Sequence, residues 1–352
     1  MKILLGTVDV GYRINTYKKI AEKIRDVKVY GVVKYKPKKS QEELIYDHEI
    51  LLIGKSKLKR VFGHLYLFIR FGFTTKVFHF ISGETLLPNN WRVFEYSVYK
   101  VFGKKIITHF VGNDIRPINY LEYKANQLAT LQKPIKLPID FCNKRQKQEI
   151  ENANRFSDAI LVSSPDLLEV IPKGKYIPLV ISNELFNQLF SFYSKKEKSS
   201  ILVSHLPSNI KSKGTKTIEK LLSECKLDKQ VKTEVFFPNS SKEIPKTNLL
   251  KKLAKSHIVV DQMSSGWFGM QTLEALILGC QVLCYIEERN KPFIPSDCPI
   301  YFVNPDNFQE VLQKAIFERR LGKYNEERAS KWVKVNFGEL KAQSLLNSIW
   351  FD

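Results

Sequence analysis

Short apolar runs rich in Val, Ile, Leu and Phe alternate with stretches of helical periodicity from one end of the chain to the other. That alternation predicts parallel sheets built from strand–helix–strand units, because strands covered on both faces read as continuous apolar runs and their crossovers are helical. In the first half the predicted strands are KILLGT, KVYGVVKY, KVFHFI, KKIITHF and DAILVSS, with an amphipathic first helix between Asn15 and Arg25. The second half restarts with SSILVSHLP and continues through EVFFP, HIVVDQM, CQVLCYI and PIYFV, and helices are expected near 215–226, 247–255, 270–279 and 307–320. The connection PLVISNELFNQLFSFYSKKEKSS ends in a polar stretch of Lys and Ser, which puts the boundary between the halves near 182–198.

One helical pattern carries more apolar surface than a core helix needs. In KSKLKRVFGHLYLFIRFGF (55–73), Leu58, Val61, Phe62, Leu65 and Ile69 share one face, while Tyr66, Leu67, Phe68 and Phe71 spill beyond it. With Lys55, Lys57, Lys59, Arg60 and Arg70 alongside, the segment has the character of a basic amphipathic helix lying among lipid headgroups. A helix packed into a strand–helix layer is the competing reading.

Length and composition narrow the class. A chain of 352 residues fits two domains, and 43% hydrophobic with 26% charged residues belongs to a folded protein. Lys and Arg number 56 against 36 Asp and Glu, a net charge of +20 that implies an anionic partner or surface unless it reflects only a lysine-favouring codon bias. No zinc-finger, RNP or basic-zipper pattern accompanies that charge, so nucleic acid is not the expected partner. The five cysteines (Cys142, Cys225, Cys280, Cys284, Cys298) are odd in number and form no C-x-x-C pair. Neither a disulfide framework nor a zinc site is therefore expected. MKILLGTVDV enters a strand at once with no signal-like h-region, and no apolar run reaches the roughly 18 residues of a membrane span. The expectation is a cytoplasmic protein, peripheral on the inner face of the membrane if the 55–73 segment touches lipid.

The candidate chemistry centres on HIVVDQMSSGWFGMQTLEALILGCQVL, which reads as strand, loop, helix and strand. Gly266 and Gly269 let the loop turn tightly and let a ligand approach the backbone. Met270, Gln271 and Thr272 fall in the first helical turn, where amides have no intrahelical acceptor and a diphosphate would fit. Glu274, one turn further on, is placed to accept two hydrogen bonds from a ribose diol; the plainer reading is a helix-dipole acid. The chain has no D-x-D, no H-E-x-x-H and no G-x-S-x-G, and Gly6 and Gly11 around the first turn do not have the G-x-G-x-x-G spacing. No metal or nicotinamide cofactor is expected.

GWFGMQTLEALILGCQVL resembles the donor-binding signature of family-four GT-B glycosyltransferases, E-G-F-G-x-x-x-x-E-A-x-A-x-G-x-P-V. HFVGNDIRP (109–117) is similar to their H-G-S-D-I-R loop, SDAILVSSPDLLEVIP to the last strand of their first domain, and HLPSNIKSKGT to their K-G-T phosphate loop. The resemblance implies two Rossmann-like domains facing across a cleft, 1–185 on the acceptor side and 195–335 holding the nucleotide sugar, with a terminal helix near 336–352 crossing back. It implies that Glu274 holds the ribose, that Gly266, Trp267, Phe268, Gly269, Met270, Gln271 and Thr272 with Ser208 line the donor, and that Lys213 neutralises the leaving phosphate. A cation there stabilises the charge that builds as a nucleoside diphosphate departs, which also makes sense from first principles. His109 is the side chain expected to reach donor sugar or acceptor, with Gly6, Gly11, Asp114 and Arg116 on the acceptor or phosphate side. Asp114 and Arg116 would form an ion pair or an acceptor-site pair.

Three positions depart from the family pattern. Its first acid falls at Gly266, its arginine five before the lysine at Ser208, and its loop histidine at Val111. The reaction implied is transfer of a hexose-type sugar with retention and without a metal, to a glycan acceptor, lipid-linked if the basic surface meets a membrane, in bacterial surface polysaccharide assembly. The departures keep two alternatives open: a non-catalytic sugar-nucleotide or glycan-binding subunit, and a nucleotide-sugar epimerase of the same fold.

Overall fold

Two parallel sheets account for the alternation of apolar runs and helices. The computed structural model describes residues 1–10, 13–35, 46–49, 56–129, 138–193, 196, 200–236 and 246–351. The chain divides into two units: residues 1–116, 142–180 and 339–352 make the first, residues 117–141 and 181–338 the second.

In chain order the first unit contains β1 (Lys2–Val8), α1 (Arg13–Ala21), β2 (Lys28–Tyr35), β3 (His48–Glu49), α2 (Lys57–Gly72), β4 (Val77–Ile81), α3 (Arg92–Val101) and β5 (Lys105–Phe110). The chain then passes through α4 (Ile118–Ala129), which belongs to the second unit, and returns for α5 (Lys144–Phe156), β6 (Ala159–Val162) and β7 (Lys175–Tyr176). The seven strands run parallel in the order β3-β2-β1-β4-β5-β6-β7. Gly6 lies inside β1, as the KILLGT strand predicts, registered against Val32 and Phe80 and set back from the turn it flanks; a Cβ there would meet the Val32 carbonyl at 3.1 Å. Gly11 lies outside the described residues.

The second unit follows with α6 (Asn183–Ser191), β8 (Ile201–His205), α7 (Ile210–Lys213), α8 (Thr215–Glu224), β9 (Val231–Val235), α9 (Lys246–Lys255) and β10 (Ile258–Val260). It continues with α10 (Met270–Ile277), β11 (Gln281–Cys284), β12 (Tyr301–Phe302), α11 (Phe308–Arg320) and α12 (Glu326–Phe337), and α13 (Glu339–Phe351) returns to the first unit. Its five strands run in the order β12-β11-β10-β8-β9. The predicted EVFFP strand sits three residues earlier than expected, as β9, and is an edge strand.

Two differences from the expected boundaries have clear physical reasons. Residues 117–141 group with the second unit because α4 packs on α7 and is tied there by Lys211 to Glu122 (3.1 Å) and by an ion pair between Lys124 and Glu287. The terminal stretch changes units at Gly338: α12 packs on α10, whereas Ala342, Leu346, Ile349 and Trp350 of α13 complete the core over α1 and β1.

Each sheet has cores that match the apolar periodicity. On the first sheet one face is covered by α1 and α13, the other by α2 and α3 through Leu67, Phe68, Phe71, Tyr96 and Tyr99. The buried side of α2 is thus made by Leu67, Phe68 and Phe71, three of the four residues beyond the expected apolar face, while the fourth, Tyr66, is exposed. The core of the second sheet runs from Ile201 and Val203 to Leu312 and Ile316. Among the described residues no helix is long and apolar enough to cross a membrane, and none of the five cysteines forms a disulfide.

Candidate functional site

In a doubly wound sheet the chain leaves adjacent strands in opposite directions at one place, opening a crevice at their carboxyl ends where ligands bind. In the second unit that place lies between β8 and β10, which are paired although β9 separates them in sequence. Two connections emerge there: the 206–214 loop after β8, with the single turn of α7 inside it, and the 261–269 loop after β10. They are laced together. The Met263 amide donates to the Lys213 carbonyl (3.0 Å) and the Ser264 hydroxyl to that of Ser212 (2.5 Å). Gly214 has φ +65°, and a Cβ on it would press on the Met263 backbone at 3.2 Å, so the close approach needs glycine. His205 anchors the same corner from below, bonding the Val260 carbonyl at 2.7 Å and the Thr215 hydroxyl at 2.9 Å, and burial lowers its pKa to about 4.

This lacing fixes Lys213. Its ammonium pairs with Asp261, which is fully buried, and lies 3.6 Å from where a Cβ of Gly269 would be. Asp261 in turn accepts from the Thr272 hydroxyl at 2.8 Å and from the Gly269 amide at 3.4 Å. Burial would raise the Asp261 pKa, but Lys213 and these donors outweigh it and hold the carboxyl below its ordinary value. Gly269 is the N-cap of α10 and offers no side chain to cap it. A cation therefore stands beside the start of α10, whose first-turn amides of Met270 and Gln271 have no intrahelical acceptor, a pairing of features that suits a diphosphate.

Gln262, beside Asp261, builds the loop itself. Its carbonyl oxygen accepts from the amides of Ser264 (2.7 Å) and Ser265 (2.8 Å) while its amide group donates to the Tyr285 carbonyl (2.6 Å). Asp261 and Gln262, the Asp-Gln pair that precedes GWFG, are not among the site residues expected from the sequence; the signal they carry is that of an acid and an amide at the end of an apolar strand, where neither would be buried without a task.

Trp267 and Phe268, expected to line the donor, are instead buried anchors. Their rings stack at 4.4 Å, and Phe268 packs on Trp332 and Phe337 of α12. Their side chains hold the loop down, since two large aromatics gain more from the core than from an open loop. Gly266 has φ +72°, and a Cβ there would fall 2.8 Å from the Glu287 Cβ. The carboxylate absent from position 266 in sequence is thus present beside it in space. Glu287 is gripped by Lys124 and by Arg289 (2.6 Å), which no linear spacing could have revealed. Ser208 is exposed in the 206–214 loop.

Glu274 is buried one turn into α10 and sits 3.2 Å from the Lys246 ammonium at the start of α9. Burial pushes its pKa up, and Lys246 opposes the shift. Gln271 donates to the Leu206 carbonyl at 2.6 Å, tying the helix start to the end of β8.

In the first unit His109 does not reach a surface. It is fully buried on β5 between His79 (3.2 Å) and the Ser163 hydroxyl (2.8 Å), and burial drives its pKa well below the ordinary value. Trp350 donates to His79 (3.2 Å), so this polar chain fastens α13 to the sheet. Asp114 and Arg116 are not paired with each other by hydrogen bonds. Asp114 accepts from the amides of Val111 and Gly112 (both 2.8 Å) and closes its own loop, while Arg116 makes a two-pronged pair with Asp166 at 2.6 and 2.9 Å. The Ser-Ser-Pro-Asp turn after β6 supplies that partner. Among the described residues no group of three or more His, Cys, Asp or Glu side chains could hold a metal ion.

Solved structures share this architecture along the whole chain. Sucrose-phosphate synthase from Thermosynechococcus elongatus is 13% identical, with 99% of this chain and 98% of that one covered at a TM-score of 0.63. Anabaena HepE in complex with UDP is 12% identical over 99% of both chains at 0.60, and a glycosyltransferase from Rickettsia africae is 14% identical over 99% and 97% at 0.55. The chain has the GT-B glycosyltransferase fold. At such low identity the GT-B likeness extends to architecture alone. No family model and no curated protein matches the chain.

Proposed function

We propose that this GT-B protein is a glycosyltransferase that takes its sugar from a nucleoside diphosphate donor held by the second unit. The observation that carries the reading is the convergence of Lys213 on the uncapped start of α10, 3.6 Å from the Gly269 Cβ position. In this reading the diphosphate rests on the 269–272 turn through the amides of Met270 and Gln271, Lys213 neutralises the phosphate that departs, and Glu274 exchanges Lys246 for the ribose hydroxyls. Lys213 stabilises charge that grows as the glycosidic bond to the donor breaks, so its effect falls on the transition state more than on binding. Transfer proceeds with retention and without a metal, to a glycan acceptor on the first unit. The shared fold with a protein crystallised with UDP-glucose supports a nucleotide sugar as donor.

A thermal-shift panel of UDP, GDP, ADP, TDP and CMP tests the donor site, because a ligand bound by the native state alone raises stability by mass action. One diphosphate should stabilise the protein, and Lys213→Ala should weaken that effect. Release of the same diphosphate from its sugar conjugate, only when a glycan acceptor is added, would then separate transfer from epimerisation or simple binding. A protein that no nucleotide stabilises would overturn the reading.

A further inference from the structure

The outward face of α2 carries Leu58, Phe62, Leu65 and Ile69, all exposed, at the i, i+4, i+7, i+11 spacing of a single helical stripe. Because Leu67 and Phe71 on the opposite side and Phe68 at the edge of the stripe, three residues past Leu65, already fill the core, α2 is apolar on both faces. The exposed face continues onto α3. Phe94, half exposed, meets Phe68 at 6.2 Å and Trp91 at 6.0 Å, and beyond the far ends of both helices Phe73 meets Phe102 at 5.4 Å. Contiguous apolar surface on this scale marks a place where something docks.

The charges around it identify the occupant. Lys59, Arg60 and Arg70 are exposed along α2, which contains no acid at all. The single acid of α3, Glu95, is fully buried and spent on the amides of Leu86 (2.9 Å) and Leu87 (2.7 Å) and on the Tyr99 hydroxyl (2.7 Å). The two helices thus present apolar side chains and cations with no exposed carboxylate. A second copy of the chain would bring like charges together on a protein already at +20. An anionic bilayer takes the apolar stripe into its acyl boundary and the cations among its headgroups.

We propose that the α2–α3 face is a docking surface for an anionic lipid bilayer, with α2 lying in the plane of the interface. It deepens the acceptor side of the proposed function by placing the first unit where a lipid-linked glycan would be, yet it stands on this surface and not on the donor site. Trp91, 59% exposed, sits on the face, whereas Trp267, Trp332 and Trp350 are buried, so indole fluorescence reports on the contact directly.

The test uses the full chain and vesicles of phosphatidylcholine with or without 30% phosphatidylglycerol (about a third anionic, a surface polybasic segments can feel) at low and high salt. Sedimentation with the anionic vesicles only, weakened by salt, and quenching of Trp91 by lipids brominated on the acyl chain are expected. Phe62→Ser/Leu65→Ser/Ile69→Ser should reduce partitioning at least tenfold and abolish quenching. Lys59→Glu/Arg60→Glu should do so at low salt, each cation near such a surface being worth about fivefold. Phe317→Ser, an exposed apolar change in the second unit, should have no effect. Equal binding by wild type and the triple variant, no binding at low salt, or a wild-type dimer that the triple variant dissolves would each overturn the proposal. Retention of the nucleotide-induced thermal shift by the same variants keeps the lipid result separate from the donor-site reading.

Discussion

Lys213 and Asp261 form an ion pair in which the carboxylate is fully buried and the lysine keeps 14% of its side chain exposed. That asymmetry gives the two residues different duties. Asp261 fixes Lys213, Thr272 and the Gly269 amide around the start of α10, and Lys213 presents positive charge to whatever lies beyond.

Removing Lys213 alone should destabilise the protein by about 3 kcal/mol, because a buried carboxylate is left without its partner. The double variant Lys213→Ala/Asp261→Asn should recover most of that stability in urea unfolding. It should still lose about 100-fold or more in kcat, the usual cost of deleting a group that stabilises developing charge. Recovery of turnover together with stability would make the lysine purely structural.

Glu274→Gln keeps the shape of the side chain and removes its charge. Losing charge-assisted hydrogen bonds to a ribose diol should cost about 1.5–3 kcal/mol of nucleotide affinity, roughly 10- to 100-fold. Titration calorimetry with the stabilising diphosphate measures it, and unchanged affinity would leave Glu274 as no more than the partner of Lys246.

Gly266→Ala should lower stability by at least about 1 kcal/mol, since alanine resists φ +72° and its methyl would strike Glu287. Adding Glu287→Ala removes the collision and not the backbone strain, so thermal melting of the double variant should show partial rescue at most.

Stability should fall on mild acidification. Burial lowers the His79 pKa to about 3 and that of His205 to about 4, while in the unfolded chain both take up protons near pH 6.5. The unfolded state then binds more protons, so their contribution is complete above about pH 6.5 and is lost as pH falls toward 4 and below. Denaturant titrations between pH 7.5 and 5 follow the decline, and His205→Gln should flatten part of it.

Much of the fold was legible in the sequence because it rests on local periodicity. Continuous apolar runs gave both parallel sheets, and the glycines around 266–269 and 279 marked a turn into a helix and out of it. The exception was α2, whose apolar residues cover both faces; periodicity ranks hydrophobicity and cannot say which side meets the sheet. Leu67, Phe68 and Phe71 face the core because β4 and α3 lie there.

The chain order by itself determined which segments become strands and helices and put a phosphate-sized turn before α10, since these follow from neighbours within a few residues. Only the tertiary structure decided that His109 is locked inside the first sheet, that Trp267 and Phe268 are anchors, and that Glu287 stands beside Gly266. Those outcomes depend on contacts between residues far apart in the chain, where burial and pairing override what any short motif specifies.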